Sequence, residues 1–204
     1  MKIYIADYAG FCFGVKRAIE IAENTLSQLN ENEQIYSLGP LVHNPQIVEK
    51  FNRKGLKVIN NTDEINNGKI IIRSHGISGN LQKRLESKNL ELIDGTCPYV
   101  KAVHNKVKNY HEKGYKIVII GDKNHPEVIG INGWCNDEAI IINSEEEANN
   151  MPDYDKICVV SQTTNTQEKF QKLSDIVAKK GKEVKVFNTI CNATNQRQSA
   201  CEEL

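Results

Sequence analysis

The chain has 204 residues, of which 39% are hydrophobic, and 26 basic residues balance 26 acidic ones. This composition is typical of a globular protein with one or two compact units, and its zero net charge argues against broad binding to nucleic acid or an anionic membrane. No apolar run approaches the about 20 residues of a membrane span, so we predict a cytoplasmic protein that binds neither nucleic acid nor membrane. Six cysteines without close pairs favour reduced thiols or metal ligands over a secreted disulfide framework.

Helix and strand patterns alternate along the chain. Pro45 opens a helix closed by Gly55, and Pro98 opens one closed by Gly114. An earlier helical face carries Val15, Ile19, Ala22, Leu26 and Leu29. The β-rich runs are 69–72, 116–120, 139–142, 157–160 and 183–187. Continuous apolar strands alternating with helices predict the α/β class, with repeated strand–turn–helix units and mostly parallel sheets covered on both faces.

Three cysteines occupy matching places between a strand-like run and a helix-like run, namely Cys12, Cys97 and Cys191. Backbone N–H groups at the start of a helix favour a thiolate or an anionic metal cluster. The three residues lie too far apart in sequence for a zinc finger or a local ferredoxin-type cysteine run, so only the fold can bring them together. Three thiolates without a fourth suit a cubane iron–sulfur cluster with one open iron.

Polar residues at the strand tips form a second pattern. His43, His75 and His125 each follow a strand or begin a helix, and Glu127 and Thr163 lie at similar places. Ligands in open α/β sheets bind beyond the carboxyl ends of the strands. Histidines combined with helix N-termini suit a phosphate or a diphosphate, and Glu127 would supply a proton to a substrate oxygen on the open iron.

Simpler interpretations exist for these residues. A single cysteine at a strand end is usually a small buried hydrophobe, and we predict that Cys135, Cys158 and Cys201 are not ligands. Each of the three histidines, considered alone, fits a structural role equally well, and Glu127 fits a favourable first-turn acid after Pro126. His104 and His111 are predicted to be solvated on a helix surface. No dinucleotide or Walker motif is present, so a nucleotide cofactor has no support.

Seven motifs appear in order, and together the sequence resembles the 4-hydroxy-3-methylbut-2-enyl diphosphate reductase family of the non-mevalonate isoprenoid pathway. The motifs are Gly-Phe-Cys-Phe-Gly-Val around Cys12, Leu-Val-His-Asn-Pro around His43, Arg-Ser-His-Gly around His75, Asp-Gly-Thr-Cys-Pro around Cys97, His-Pro-Glu-Val around His125 and Glu127, Ser-Gln-Thr-Thr at Thr163, and Thr-Ile-Cys-Asn-Ala-Thr around Cys191. Each motif is rare alone and their order adds a further constraint, so the resemblance is specific and covers nearly the whole chain.

The resemblance implies a reductive dehydroxylation in which two electrons and two protons remove the allylic hydroxyl as water and leave isopentenyl and dimethylallyl diphosphates. It implies a 4Fe–4S cluster held by Cys12, Cys97 and Cys191, and a diphosphate bound by His43, His75 and His125. Glu127 with Thr163 would form the proton path to the hydroxyl. Because the sequence has no flavin or nicotinamide motif, the family's usual electron donors, ferredoxin or flavodoxin, are the expected partners.

The resemblance also implies three α/β units around the cluster. We predict a first unit at 1–95 with Cys12, a second at 96–188 with Cys97, and the start of a third at 189–204 with Cys191. The family continues well beyond the third cysteine with a segment that completes the diphosphate pocket. We therefore expect a form that lacks most of the third unit, with weak activity and a labile cluster.

Two other classes remain open from the sequence. An iron–sulfur electron carrier or sensor would need the three cysteines but not the histidine, glutamate and threonine tips. A structural α/β protein would carry its cysteines incidentally. An assay with the allylic diphosphate separates the first class from the reductase, and the visible spectrum after anaerobic reconstitution separates the second from both.

Overall fold

Parallel sheets organise the chain, in agreement with the sequence. The structure is a computed structural model that describes residues 2–63 and 65–204. Its internal contacts separate two compact units, Cys12–Lys101 and Met1–Phe11 with Ala102–Leu204, called here the first and the second unit. The division into 1–95, 96–188 and 189–204 that the family resemblance implies stays a prediction.

The first unit contains the elements α1 (Phe13–Ser27), β1 (Ile35–Leu38), α2 (Pro45–Arg53), β2 (Leu56–Ile59), β3 (Asn67–Ile72), α3 (Gly79–Glu86) and β4 (Asn89–Asp94). Its strands form a sheet in the order β2-β1-β3-β4, in which every strand pair is parallel. In the register of this sheet, Ile35 pairs with Lys69 and Ile70 pairs with Leu92.

The core of the first unit lies on both faces of this sheet. Ile71 packs with Ala18, Ala22 and Phe51, whereas its neighbours on the strand pack in a second cluster that includes Leu85. Successive strand residues point to opposite faces, so a strand buried on both sides must be apolar at every position. This requirement explains the uninterrupted isoleucines of β3.

The second unit repeats this architecture. Most of α4 (Pro98–Glu112) belongs to this unit. The elements that follow are β5 (Lys116–Ile120), α5 (Pro126–Asn132), a 3-10 turn (Gly133–Cys135), β6 (Ile140–Ile142), α6 (Glu145–Asn150), β7 (Tyr154–Ser161), α7 (Gln167–Val177), a second 3-10 turn (Ala178–Lys180), β8 (Gly181–Val186) and α8 (Asn192–Glu202). The sheet has the order β6-β5-β7-β8, and all of these pairs are parallel.

The helix boundaries follow the local signals that the sequence carries. In α2, Pro45 is the first helical residue, and the Asn44 side chain accepts the Ile47 N–H. Gly55 follows that helix with a φ of +99°, and Gly114 follows α4 with a φ of +79°, conformations that favour glycine. Within residues 2–63 and 65–204, no helix has both the length and the apolar composition that a membrane crossing requires.

The strand order defines where a ligand can bind in each unit. Both sheets place the second strand of the unit at one edge and the first and third strands at the centre. The connections diverge from these central strands, and ligands of open α/β sheets bind at the carboxyl ends beside such a point. The predicted site residues occupy equivalent places: His43 and His125 follow the first strands, His75 and Thr163 the third, and Cys97 and Cys191 the fourth.

One expectation about the cysteines is wrong in part. Cys12 directly precedes α1, as the sequence predicts, but the described residues 2–11 before it contain no strand. Its environment therefore differs from that of Cys97 and Cys191, which do follow strands.

Candidate active site

A buried carboxyl and hydroxyl pair lies at the carboxyl ends of β5 and β7. The Thr163 N–H donates to Glu127 Oε1 at 2.6 Å, and the Thr163 hydroxyl donates to Glu127 Oε2 at 2.8 Å. Glu127 is 2% exposed and Thr163 is 5% exposed. Burial raises the pKa of the Glu127 carboxyl, and the two hydrogen bonds from Thr163 oppose that rise only partly. The pair can therefore hold a proton to a higher pH than an ordinary glutamate and exchange it across one hydrogen bond.

His125 directly precedes α5 and caps it. Its Nδ1 accepts the Glu127 N–H at 3.1 Å. Because a neutral imidazole carries one proton, acceptance at Nδ1 assigns that proton to Nε2. Nε2 is then a donor suited to a phosphate oxygen, and the cap fixes the direction of the ring relative to Glu127.

Backbone and hydroxyl bonds join the Thr163 turn to the Cys191 turn. The Cys191 N–H donates to the Thr163 carbonyl at 2.9 Å, and the Thr194 hydroxyl donates to the same carbonyl at 3.2 Å. The Thr189 hydroxyl donates to the Ser161 carbonyl at 2.6 Å and accepts the Ser161 N–H at 2.8 Å. The second unit thus brings Glu127, Thr163 and Cys191 into one hydrogen-bonded network.

In the first unit, two of the predicted histidines lie together. The ring centroids of His43 and His75 are 4.6 Å apart, with an angle of 55° between the ring planes. His43 is exposed and His75 is half-buried. Because His43 follows β1 and His75 follows β3, the two central strands bring together residues that are distant in sequence.

Arg73 lies beside the segment that leads to His43, a neighbour that the sequence does not reveal. A Cβ added at Gly39, which has a φ of +71°, would lie 2.5 Å from Arg73 Nη1. Burial lowers the pKa of the Arg73 guanidinium from its usual value, and among the described residues its Nε has no hydrogen-bond partner. A partly desolvated positive charge therefore accompanies the two imidazoles of this unit.

The first unit also brings the Cys97 side chain against the first turn of α1. A Cβ added at Gly14 would lie 2.6 Å from Cys97 Sγ. Cys12 is the residue before that turn, with a φ of −71° and a ψ of 169°. Cys12, Cys97 and Cys191 are all half-buried, an exposure that suits metal ligands better than core residues.

Cys158 lies in the core as predicted, whereas the prediction that Cys135 and Cys201 are not metal ligands stays a prediction. Cys158 is 0% exposed in the core of the second sheet, and burial raises the pKa of its thiol to about 12. Burial also raises the pKa of the Cys135 thiol to about 11, whereas Cys201 is exposed on α8. Thiols that stay protonated at neutral pH are poor metal ligands.

One prediction about the histidines of α4 is wrong. His104 is 3% exposed, because Trp134 stacks on its ring with a centroid distance of 5.5 Å and an interplanar angle of 26°. His111 remains partly solvated and lies 3.2 Å from Glu138. The spacing of seven residues places both on a helix surface, but it cannot reveal that the 3-10 turn after α5 covers one of them.

Comparison with known proteins identifies the family. The model of the family described as LytB protein matches residues 3–204. The chain belongs to the LytB family. It is 52% identical, over 207 residues, to a protein from Caldanaerobacter subterraneus subsp. tengcongensis named 4-hydroxy-3-methylbut-2-enyl diphosphate reductase, covering 100% of this chain and 72% of the relative. A reductase of the same name from Clostridioides difficile is 47% identical, over 100% of this chain and 74% of that protein.

Solved structures of LytB reductases have the same fold. One, described as (E)-4-hydroxy-3-methyl-but-2-enyl diphosphate reductase, has a TM-score of 0.83 and 43% identity, covering 99% of this chain and 72% of the other. A second, the E-1-hydroxy-2-methyl-but-2-enyl-4-diphosphate reductase from Plasmodium falciparum, has a TM-score of 0.89 and 30% identity, covering 96% and 62%. The α/β architecture of this chain is therefore that of the LytB reductases.

The residues of this LytB family member fit the iron–sulfur cluster that the resemblance implies. The space left by the missing side chain of Gly14, two residues after Cys12 in the sequence, accommodates the Cys97 sulfur. The three candidate thiols are half-buried at helix starts, where thiolates are favoured, whereas two of the other thiols are buried and held protonated. The chemistry of the three candidate thiols therefore fits the implied cluster better than that of Cys135 and Cys158.

Proposed function

We propose that the chain catalyses the reductive dehydroxylation of 4-hydroxy-3-methylbut-2-enyl diphosphate to isopentenyl and dimethylallyl diphosphates. The names of the relatives described above support this substrate and reaction. The observation that carries the proposal is a hydrogen-bonded network in the second unit. In this network Thr163 links the buried Glu127 carboxyl to the Cys191 N–H. An electron carrier or a structural protein would not need a buried proton donor beside a cluster ligand.

Cys12, Cys97 and Cys191 hold a 4Fe–4S cluster in this proposal. When bound, the cluster supplies electrons and an open iron that acts as a Lewis acid toward the substrate hydroxyl. Two observations support this ligand set: the three thiols are half-buried, and Gly14 leaves space for the Cys97 sulfur. Reduced cysteines also fit a reaction in the cytoplasm.

The histidines bind the diphosphate. His43 and His75 supply two adjacent imidazoles, and His125 supplies an Nε2–H whose direction the helix cap fixes. Phosphate oxygens accept hydrogen bonds from such donors, and helix N-termini add a favourable potential. The partly desolvated charge of Arg73 adds a further attraction for the anion.

Glu127 and Thr163 move the proton that converts the leaving hydroxyl into water. Hydroxide is a poor leaving group, so protonation lowers the barrier to breaking the carbon–oxygen bond. Two electrons and two protons enter, and one molecule of either isomeric diphosphate and one water leave. Ferredoxin or flavodoxin delivers the electrons, since no flavin or nicotinamide motif is present in the sequence.

Anaerobic reconstitution followed by an assay with the allylic diphosphate and a strong chemical reductant tests the proposal. We expect a visible iron–sulfur absorption and formation of both isomeric products. Cys97→Ser should lose the absorption and the activity, whereas Cys201→Ser, which changes an exposed cysteine on the helix that follows Cys191, should retain both. A chain that binds the cluster but forms neither product would support an electron carrier or sensor instead.

A further inference from the structure

Arg17 on α1 forms two hydrogen bonds to the turn that carries Cys97. Its Nη1 donates to the Thr96 carbonyl at 3.1 Å, and its Nη2 donates to the Asp94 carbonyl at 3.3 Å. The rigid planar fork of a guanidinium can hold two acceptors at once, which a lysine cannot do in the same geometry. Arg17 therefore fixes the backbone on both sides of Gly95, immediately before Cys97.

The Asp94 carboxylate does not take part in these two bonds, because other donors occupy it. The Thr96 N–H donates to Asp94 Oδ1 at 2.9 Å, and Lys101 Nζ lies 2.7 Å from Asp94 Oδ2. The contact with Arg17 is therefore a pair of bonds to backbone carbonyls. Such bonds act on the backbone of the turn directly.

Backbone bonds also hold this turn, to the end of β3 and to the residues that follow it. The Gly95 N–H donates to the Ile72 carbonyl at 2.9 Å, and the Cys97 N–H donates to the Ser74 carbonyl at 3.0 Å. The turn thus has backbone bonds to the β3 segment and side-chain bonds from α1. Removal of the Arg17 bonds would leave only the backbone bonds.

Gly14 completes the arrangement, since it lies three residues before Arg17 and therefore on a neighbouring part of the helix surface. A Cβ at this position would lie 2.6 Å from Cys97 Sγ and 3.1 Å from Cys97 Cβ, so any larger residue must displace the thiol. Cys12 is the residue immediately before the helix. The start of α1 therefore combines three features. Cys12 directly precedes it, Gly14 leaves space for the Cys97 sulfur, and Arg17 binds the turn that carries Cys97.

We propose that Arg17 and Gly14 are positioning residues for the iron–sulfur cluster, which set the separation of the Cys12 and Cys97 thiols before the metal binds. This inference rests on the proposed function. A cluster has a fixed geometry, so ligands held in advance bind it more tightly than ligands that must be ordered on binding. Neither residue ligates the metal, and both act through Cys97.

A general role in attaching α1 to the sheet would give different results. The buried side chains of Ala18 and Ala22 pack that helix into the core of the first unit, independently of Arg17. The helix should therefore remain attached when Arg17 is replaced, and the loss should be confined to the Cys97 turn. Retention of the cluster, measured apart from thermal stability, separates the two roles.

The test compares the rate at which the reconstituted cluster is lost to an iron chelator under anaerobic conditions, followed by visible absorption. Arg17→Met should lose the cluster about tenfold faster than the unsubstituted chain, and Arg17→Lys should lose it at an intermediate rate. The control is Arg84→Met, because Arg84 in the same unit donates a partly buried hydrogen bond of 2.8 Å to Thr62 but lies in α3. Arg84→Met should lower the melting temperature of the cluster-free protein by about as much as Arg17→Met does, but it should not accelerate cluster loss.

Gly14→Ala provides a second, independent measurement. Alanine favours helical backbone over glycine, whereas its methyl group must displace Cys97 Sγ, so the two effects on the free energy of unfolding of the cluster-free protein should largely offset each other. The cluster should be lost faster, because the displaced Cys97 Sγ is a proposed ligand. Faster cluster loss without a comparable fall in the stability of the cluster-free protein is not expected from general destabilisation.

An unchanged rate of cluster loss in Arg17→Met, or equally fast loss in Arg84→Met, would overturn the positioning role of Arg17 while leaving the proposed function intact. If the unsubstituted chain takes up no cluster, both the proposed function and the positioning role are overturned. Circular dichroism of each variant shows whether it has folded. If Arg17→Met does not fold, the same comparison between Gly14→Ala and the unsubstituted chain decides the outcome.

Discussion

The Glu127 carboxyl combines deep burial with two hydrogen bonds from Thr163, and its raised pKa determines the pH range in which it can donate a proton. We expect turnover to decline as the pH rises through that raised pKa, because the protonated form is the donor. Glu127→Gln should remove this decline and lower kcat by about 10²–10⁴-fold with little change in KM. A pH profile of kcat for both proteins measures the effect, and a large rise in KM with unchanged kcat would contradict the assigned role.

The same carboxyl makes folding stability depend on pH. Because its pKa is higher in the folded than in the unfolded chain, the folded state retains the proton longer, and its contribution to stability is lost as the pH rises from the unfolded value through the folded one. At pH values above the folded pKa, the contribution of this carboxyl to folding stability no longer changes with pH. Urea unfolding of the unsubstituted chain and of Glu127→Gln across this range should show the loss only in the former.

His43 tests anion binding with little risk to the fold, since its side chain is exposed. His43→Ala should weaken the binding of inorganic pyrophosphate by about 1.5–3 kcal/mol, roughly tenfold to more than a hundredfold in Kd, because a charge-assisted hydrogen bond is lost. Isothermal calorimetry measures this directly. His111→Ala, which changes a partly solvated histidine paired with Glu138, is the control and should leave Kd unchanged.

At the level of elements, α5 depends on His125 for its first turn. The His125 Nδ1 accepts the Glu127 N–H, so His125→Ala should lower the free energy of unfolding by about 0.5–2 kcal/mol. His125→Asn should recover most of that loss, since asparagine is a strong N-cap, but it should not recover pyrophosphate binding. Denaturant unfolding and calorimetry on the same two variants separate capping from binding.

The sequence predicts the central strands better than the edges of the first sheet. The Ile and Val runs of β3, β5 and β7 are buried on both faces and therefore appear as continuous apolar segments. β2 and β4 lie at sheet edges and carry polar residues on partly exposed positions, so their patterns are weak. In β1, the buried Ser37 interrupts the apolar run, and its hydroxyl is satisfied by the Gly39 carbonyl at 2.7 Å.

The candidate site residues at the strand tips stand out from local patterns, whereas the residues that support them do not. Arg17 reaches a carbonyl 79 positions away in the sequence, and nothing in the helix around it indicates that target. Thr189 and Thr194 belong to the motif around Cys191, yet only the folded turn shows which carbonyls they bind. Long-range partners of this kind depend on which strands are neighbours, information that a single sequence does not contain.

At the level of the whole molecule, metal binding and folding are linked. A ligand that binds only the folded state stabilises it, so removal of the proposed cluster should lower the midpoint of thermal unfolding. Anaerobic calorimetry before and after treatment with a chelator measures the shift. The control is the same treatment of Cys97→Ser, whose midpoint should not change because that variant has no cluster to lose.

The position of Cys97 and Cys191 after the fourth strands has a consequence for biosynthesis. The ribosome makes Cys12 before any strand of the two sheets and Cys191 after all eight of them. At about 5–20 residues per second, the Cys12 thiol waits on the order of ten seconds or more for its last proposed partner to be translated. With these three ligands, complete insertion of the proposed cluster follows synthesis of both sheets, and during that interval the early thiols depend on a reducing environment to escape oxidation.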